Sequence, residues 1–485
     1  MSIDSPNAQK TGKTFFGHPA PLANLFSVEM WERFSFYGMQ ALLAYYMYFS
    51  VTEGGLGMEQ GLALSLVGAY GGAVYLSTIL GAWIADRLWG SERVLFVSAV
   101  VIMAGHLALA FLPGFTGLAA GLVLVAIGSG GLKANATALV GSLYSKDDPK
   151  ADAGFSIFYM GVNIGGLIGP LLTGLLHQSM GFHFGFGAAA VGMAVGLTIY
   201  AIGRKNLPEA VRTVANPLPA NERKRYILIF AGVILAIVLA FALKIVTPEN
   251  LASTIAYVVI AATAVYFVLI LRSPRVSAGE RKHVYAFIPF YIASAAFWAL
   301  FQQQFTFVAA YSDARLDRHL FGWEMPASWV QSINPVFIVL LAGVFAALWT
   351  KLGNRQPRTS IKFGLALVVV GIAFLCFIPL DSLAKTPLLA MVGILLLCTI
   401  AELLLSPIGQ AVTTKLAPAA FGTQMIALFF LSVSLGTTLS GVLAGYYTPG
   451  NEIPYFIAMG GTAVVLGIAM MAATPALKRL MGSVH

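Results

Sequence analysis

The amino-acid sequence predicts an all-α polytopic membrane protein with fourteen membrane-spanning helices, grouped six, two and six. Three observations carry that prediction. The 485 residues are 58% hydrophobic and only 10% charged, with a mean hydropathy of +0.81, a balance outside that of ordinary soluble domains. Apolar runs of the length a bilayer requires, roughly 20 residues, recur from near residue 21 to near residue 474. Of the 29 lysines and arginines, Arg33 and Lys133 fall inside apolar runs, four (Lys244, Arg315, Arg318, Lys385) fall in loops of one side, and all the rest on the other. The positive-inside rule makes the richer side cytoplasmic, places both termini there, and accounts for the net charge of +9 without a nucleic-acid partner. The ten-residue alternating segments of a membrane β-barrel are missing.

The elements follow in order. Residues 1–20 are polar, lack the apolar core of a signal peptide, and read as a cytoplasmic tail. Spans are expected near 22–50, 61–85, 93–112, 116–143, 152–176 and 182–203, an N-terminal bundle of residues 21–203. Arg204 to Arg225 then breaks the pattern with six cations and three prolines and reads as a cytoplasmic linker. Apolar runs near 226–246 and 251–271 and the basic loop Arg272 to Lys282 complete an insert of residues 204–282. This pair carries no intramembrane acid and reads as an accessory or lipid-facing insert rather than part of the transport path. Spans near 284–311, 328–350, 361–380, 386–415, 421–447 and 454–474 form a second bundle, residues 283–475, before a cytoplasmic tail of 476–485. Cys376 and Cys398 lie in apolar runs and read as small hydrophobes, neither a disulfide nor metal ligands. His106 stands alone in span three and reads as a hydrogen-bonded packing residue.

Five charged side chains lie deep in the spans: Glu29, Glu32, Arg33, Lys133 and Glu402. A charge at the bilayer centre costs about 2.5–3.5 kcal/mol even on mild insertion scales, so these residues are expected to face one another or water. Glu29 to Glu32 is an i,i+3 step and Glu29 to Arg33 an i,i+4 step, so the three share one helix face, which Tyr37 extends. Two acids beside one cation leave one net negative charge, which a proton can neutralise. A fixed ion-pair network is the alternative, but it has no need of an unmatched acid in an apolar setting. In span four, Gly128, Gly130 and Gly131 precede Lys133 and permit close helix approach, letting the lysine emerge into a packed interior. Arg33 and Lys133 together make a cradle for a carboxylate. Asn163 in span five is either part of that site or interhelical glue. Glu402, in the span near 386–415, has no cation near it in sequence and suits a ligand ammonium group. The resulting site is bipolar and fits a zwitterion.

Two six-helix halves are the hallmark of major facilitator transporters, whose substrate site lies between the halves. Gly81-Ala82-Trp83-Ile84-Ala85-Asp86-Arg87-Leu88-Trp89-Gly90-Ser91-Glu92-Arg93 resembles their loop motif, which implies a gating latch at Asp86 and Arg87. Three further stretches, Glu29-x-x-Glu32-Arg33-Phe34-Ser35-Phe36-Tyr37-Gly38, Gly128-Ser129-Gly130-Gly131-Leu132-Lys133-Ala134-Asn135 and Phe158-Tyr159-Met160-Gly161-Val162-Asn163-Ile164-Gly165, resemble the signatures of the proton-coupled oligopeptide transporters. The resemblance continues through Phe297-Trp298, Asn334-Pro335 and Ala401-Glu402-Leu403, and the extra helix pair is typical of bacterial members. It implies a monomeric symporter of the bacterial inner membrane, driven by the proton gradient without a cofactor, that imports di- and tripeptides by alternating access. Arg33, Lys133 and Tyr37 would hold the peptide carboxylate, and Glu402, Asn163 and Asn334 the amino end. Glu29 and Glu32 would couple protons beside Arg33 and Lys133, while Tyr70, Tyr75 and Trp298 line side-chain pockets.

One position departs from the pattern. Gln302, expected at the peptide site, stands where many relatives carry an acid that meets the span-four lysine. Lys133 is therefore expected to turn to Glu29 or Glu32, or the gate to use neutral hydrogen bonds, with Asp313 about three turns too far out to substitute. Phe429 stands where several relatives carry tryptophan. A porter for another small zwitterion or anion, such as an amino acid or nitrate, is the runner-up. An enzyme is disfavoured, since no His-x-x-x-His pair, nucleophile elbow or Walker loop occurs.

Overall fold

The computed structural model describes residues 14–145, 148, 150–214 and 216–482, so residues 1–13 and 483–485 of the expected tails lie outside the described residues. The N-terminal bundle comprises α1 (Pro21–Tyr48), α2 (Gln60–Ile84), α3 (Ser91–Phe111), α4 (Gly114–Gly141), α5 (Ala151–Met180) and α6 (Phe182–Gly203). The insert holds α7 (Ala220–Ala242) and α8 (Leu251–Arg272). The second bundle comprises α9 (Ala278–Phe301), α10 (Phe307–Ala314), α11 (Ile333–Leu352), α12 (Thr359–Leu375), α13 (Leu388–Leu416), α14 (Gly422–Ala444) and α15 (Ile453–Ala472), followed by the short α16 (Thr474–Met481). Two minimal antiparallel hairpins, β1 (Thr14–Phe15) with β2 (His18–Pro19) and β3 (His319–Leu320) with β4 (Trp323–Glu324), sit outside the bundles.

Thirteen helical segments among the described residues are long and apolar enough to cross a bilayer. The first helix falls short of that composition because its charges and tyrosines dilute it. At 28 residues and about 1.5 Å per residue it nonetheless reaches about 42 Å, enough to span. With α1 the count meets the expected fourteen. Two boundaries differ from the sequence reading. The span expected near 284–311 is not one helix: Gln302–Phe305 tightens into a 3₁₀ turn between α9 and α10, and Thr306 (φ −118°, ψ −96°) leaves the helical region altogether. The segment expected to be tail contains α16, which buries Leu477 and Met481 and exposes Lys478 and Arg479.

Small residues set where the two bundles touch. Gly68, Gly71 and Gly72 on α2 leave no room for a Cβ against Gly441, Thr437 and Thr438 of α14. Beyond that crossing the helices diverge, and at the end carrying the basic loops a cleft of about 720 Å³ opens between Thr78, Trp83, Asp86 and Lys133 on one side and Thr413, Gln424 and Phe430 on the other. The opposite end is sealed by hydrogen bonds from one bundle to the other. Tyr45 donates to the Ala309 carbonyl (3.0 Å), Tyr48 to Asp313 (3.1 Å), Trp329 to the Leu171 carbonyl (2.9 Å) and Ser332 to the Leu167 carbonyl (3.0 Å).

The insert divides into unlike helices. No residue of α7 is buried, and it meets the bundle at Trp83, whose ring lies 5.2 Å from Tyr226 and 5.3 Å from Phe230, and at Arg87, 3.8 Å from Glu222. By contrast, α8 buries Ala252, Ala256, Val259, Thr263 and Ile270 along one stripe, packing on α2, α14 and α9, with Thr263 hydrogen-bonded to Tyr291 at 2.7 Å. It therefore spans the seam between the bundles, so lipid faces only part of it.

Candidate functional site

The site is built where α1, α2 and α5 of one bundle face α9, α11, α13 and α14 of the other. A cavity of about 120 Å³ there is lined by Tyr37, Gln40, Tyr75, Tyr159 and Asn163 on one wall. Trp298, Gln302, Gln331, Asn334, Glu402 and Thr437 form the other. Seven of the expected binding residues (Tyr37, Tyr75, Asn163, Trp298, Gln302, Asn334, Glu402) thus share one cavity.

On the second wall, Asn334 donates through Nδ2 to Glu402 Oε2 and to Thr399 Oγ1, both at 3.0 Å. Thr399 in turn donates to the Leu395 carbonyl, so the amide that orients Glu402 is itself fixed. The 3₁₀ turn between α9 and α10 places Gln302 at the cavity, with Nε2 donating to Thr437 Oγ1 at 3.3 Å. Asn163 spends its amide on the Tyr159 carbonyl one turn back (2.9 Å), which leaves its carbonyl oxygen for the cavity.

The charged cluster of α1 lies beside the cavity rather than in its lining. Glu29, Glu32 and Arg33 are 2%, 0% and 8% exposed. Arg33 Nε donates to Glu29 Oε1 at 2.7 Å, Arg33 Nη2 meets the same oxygen at 2.6 Å, and Arg33 Nε stands 3.3 Å from Glu32 Oε2. That last contact is an ion pair without hydrogen-bond alignment, so one oxygen on each glutamate remains without a hydrogen-bond partner. Ser129 of α4 donates to the other Glu32 oxygen at 3.3 Å. Tyr37, one turn beyond Arg33, links cluster and cavity: it lines the cavity, stacks on Phe305 at 6.2 Å, and lies within electrostatic reach of both Arg33 and Glu402.

Lys133 resolves the question that Gln302 raises. Its ammonium sits 4.5 Å from the Phe36 ring centroid and 4.8 Å from that of Tyr75, and among the described residues it forms no ion pair within 4.0 Å. Neither Glu29 nor Glu32 is its direct partner, which corrects that part of the sequence reading; two aromatic faces take the place of the missing acid, each such contact contributing roughly 0.5–2 kcal/mol. The glycines ahead of it act as expected: Gly130 sits against Ser77 of α2 and Gly131 against Ser98 of α3, with no space for a side chain. Lys133 itself lines the cleft at the basic end, so it stands between that cleft and the cavity.

Tyr70 is buried, 6.3 Å from Phe36, and does not line the cavity. Asp86 and Arg87 lie in a π-helical turn, Ala85–Trp89, whose carbonyls accept from the linker: Asn216 N–H to the Asp86 oxygen (2.9 Å) and Leu218 N–H to the Arg87 oxygen (3.0 Å). Arg87 also meets Glu222 at 3.8 Å. A stronger pair close by went unread in the sequence: Glu92, 1% exposed, takes two hydrogen bonds from Arg204, at 2.5 and 3.0 Å, while the guanidinium covers Phe96. Also unread were Gln40, which prolongs the Arg33–Tyr37 stripe by one more turn, and Gln331, whose buried amide has no hydrogen-bond partner. A glutamine three residues after Tyr37 and another three residues before Asn334, each in an apolar setting, were the available signals. His106 is fully buried, but neither ring nitrogen makes a hydrogen bond, so it packs without the partner expected for it.

Two six-helix bundles that close at one end, open at the other and hold a polar cavity between them define a multi-pass membrane transporter of the major facilitator type, not an enzyme. A family model, "POT family", matches residues 92–460, and the chain belongs to that family. It is 38% identical over 496 residues to the "Di-/tripeptide transporter" of Lactococcus lactis subsp. cremoris, covering 99% of this chain and 100% of the relative. The fold is similar to the crystal structure of a peptide transporter POT in complex with sulfate, with a TM-score of 0.93 and 43% identity over 97% of each chain. A mutant of a peptide transporter POT in complex with alafosfalin superposes with a TM-score of 0.92, also at 43% identity over 97% of each chain.

Proposed function

We propose that this chain is a proton-coupled symporter that imports di- and tripeptides across a bacterial inner membrane by alternating access, with both termini cytoplasmic and a monomer as the working unit. The observation that carries this reading is the polarity of the site: a hydrogen-bonded carboxylate, Glu402, on one cavity wall, and Tyr37 leading to Arg33 and its two glutamates behind the other. A peptide zwitterion would set its ammonium group on Glu402, Asn334 and the Asn163 carbonyl, and its carboxylate toward Tyr37, Arg33 and Lys133. Relatives named as di-/tripeptide transporters support the substrate class.

Arg33 supplies the coupling. With both glutamates ionised it is held by them and kept from the cavity; a proton on one removes that hold and frees the guanidinium for the ligand carboxylate. Lys133, set against aromatic rings instead of an acid, would add a second cation on the carboxylate side when its ammonium group is ionised. Tyr75, Tyr159 and Trp298 offer apolar surface that accepts varied side chains by contact area. Asp86 and Arg87, tied to the linker, act at the cytoplasmic gate.

Ligand stabilisation of the purified protein tests the substrate class. Dialanine and trialanine are expected to raise the melting temperature in a saturable way, with alanine and nitrate having no effect. Stabilisation by alanine or nitrate but not by the peptides would replace this reading with that of a porter for another small zwitterion or anion.

A further inference from the structure

The charge bias between the two sides accounts for cations in loops, but not for Lys362. That lysine lies in the first turn of α12, 8% exposed, its ammonium 4.0 Å from the Trp349 ring centroid and donating to Gln356 Oε1 at 2.8 Å. Among the described residues no carboxylate stands within 4.0 Å of it. Burying a cation without a counter-charge is unfavourable, and an aromatic face and an amide offset only part of that.

Beside Lys362 a cavity of about 680 Å³ lies among the ends of α11 and α13, the start of α12, and α16. Arg358, Lys415 and Lys478 line it together with Lys362, and no aspartate or glutamate does. The first turn of α12, with Thr359 and Ser360 in the lining, has no side-chain cap, so its N–H groups present the positive end of the helix to the same space. Ser360 is hydrogen-bonded to Thr474 at 2.9 Å, which fixes α16 over the cavity. With Leu477 and Met481 turned inward and Lys478 and Arg479 outward, α16 has the form of a helix lying in a membrane interface.

We propose that this pocket binds a phosphate group, presented either by the headgroup of an anionic lipid or by a free phosphate, with Lys362 at its base and Arg358 and Lys478 at its rim. The site is separate from the peptide cavity and supplies the counter-charge that Lys362 lacks. Basic pockets between helices at the cytoplasmic face suit anionic headgroups for the same electrostatic reason.

The test compares melting temperatures of delipidated protein given dioleoylphosphatidylglycerol, dioleoylphosphatidylcholine, or inorganic phosphate at matched ionic strength. Phosphatidylglycerol is expected to stabilise the protein more than phosphatidylcholine, and that excess to disappear in Lys362→Gln and in the double variant Arg358→Gln/Lys478→Gln. The rim variant keeps the buried lysine, so it reads the site even if Lys362→Gln folds poorly. A control pair outside the pocket, Lys351→Gln/Arg355→Gln, is expected to retain the excess. Stabilisation by inorganic phosphate, lost in the same variants, identifies a free phosphate as the source. The proposal is overturned if neither phosphate source stabilises more than phosphatidylcholine, if the excess survives in the rim variant, or if the control pair abolishes it.

Discussion

Two glutamates of this chain carry separable predictions. Glu402 faces the cavity with its carboxylate oriented by Asn334, so Glu402→Gln keeps the shape and removes the charge. Peptides with a free amino terminus are expected to bind about ten- to a hundredfold more weakly, the worth of a hydrogen bond to a charged group at about 1.5–3 kcal/mol. Affinity unchanged in a binding titration would remove Glu402 from the amino-end role. Glu32 is buried behind the cavity and engages Arg33 and Ser129. For Glu32→Gln, gradient-driven uptake is expected to fall at least tenfold while counterflow of labelled for unlabelled peptide largely survives; equal loss in both assays would make the residue structural or directly ligand-binding. The sequence made these acids conspicuous because an intramembrane charge has so few acceptable surroundings. It could not place Lys133, since the aromatic partners Phe36 and Tyr75 look in one dimension like any other apolar wall. Gln331 and Gln40 escaped for the related reason that a neutral amide in a span costs too little to stand out.

At the scale of helices, most boundaries follow from hydropathy, because length and apolarity are what a bilayer demands. The exceptions are informative. The 3₁₀ break at Gln302–Phe305 has no proline or glycine to announce it; it is set by tertiary packing around the cavity. Composition leaves α8 as accessory or lipid-facing, yet Ala252, Ala256, Val259 and Thr263 repeat at three- and four-residue steps, a buried stripe that composition conceals. The crossing of α2 and α14 yields a prediction of its own. A Cβ on Gly72 meets the Thr438 hydroxyl, so Gly72→Val forces the helices apart where the bundles are most closely joined. Overpacking of this kind is expected to destabilise by about 1–3 kcal/mol, seen as a lower melting temperature in detergent, with a matching change in labelling of cysteines introduced along the sealed end. A melting temperature and labelling pattern equal to those of the wild-type protein would show that this crossing does not set the closure.

For the whole molecule, the two bundles form a cleft closed by Tyr45, Tyr48, Trp329 and Ser332 at one end and open at the end that carries the basic loops. The positive-inside rule puts that open end on the cytoplasmic side, and under the proposed symport the structure would be the state from which peptide and proton leave. Opening the other side requires breaking these inter-bundle hydrogen bonds and that of Gln178 to the Glu324 carbonyl (2.9 Å), each with a modest net value of about 0.5–1.5 kcal/mol, a cost within reach of binding energy. Gln302 carries no titratable group and Lys133 rests against aromatic rings, so the proposed coupling assigns the proton to the Glu29–Glu32–Arg33 cluster. Uptake of labelled dialanine by proteoliposomes under an imposed inward proton gradient tests this most directly. Accumulation against the peptide gradient, abolished by a protonophore, is the predicted result; accumulation that the protonophore leaves unchanged would contradict it.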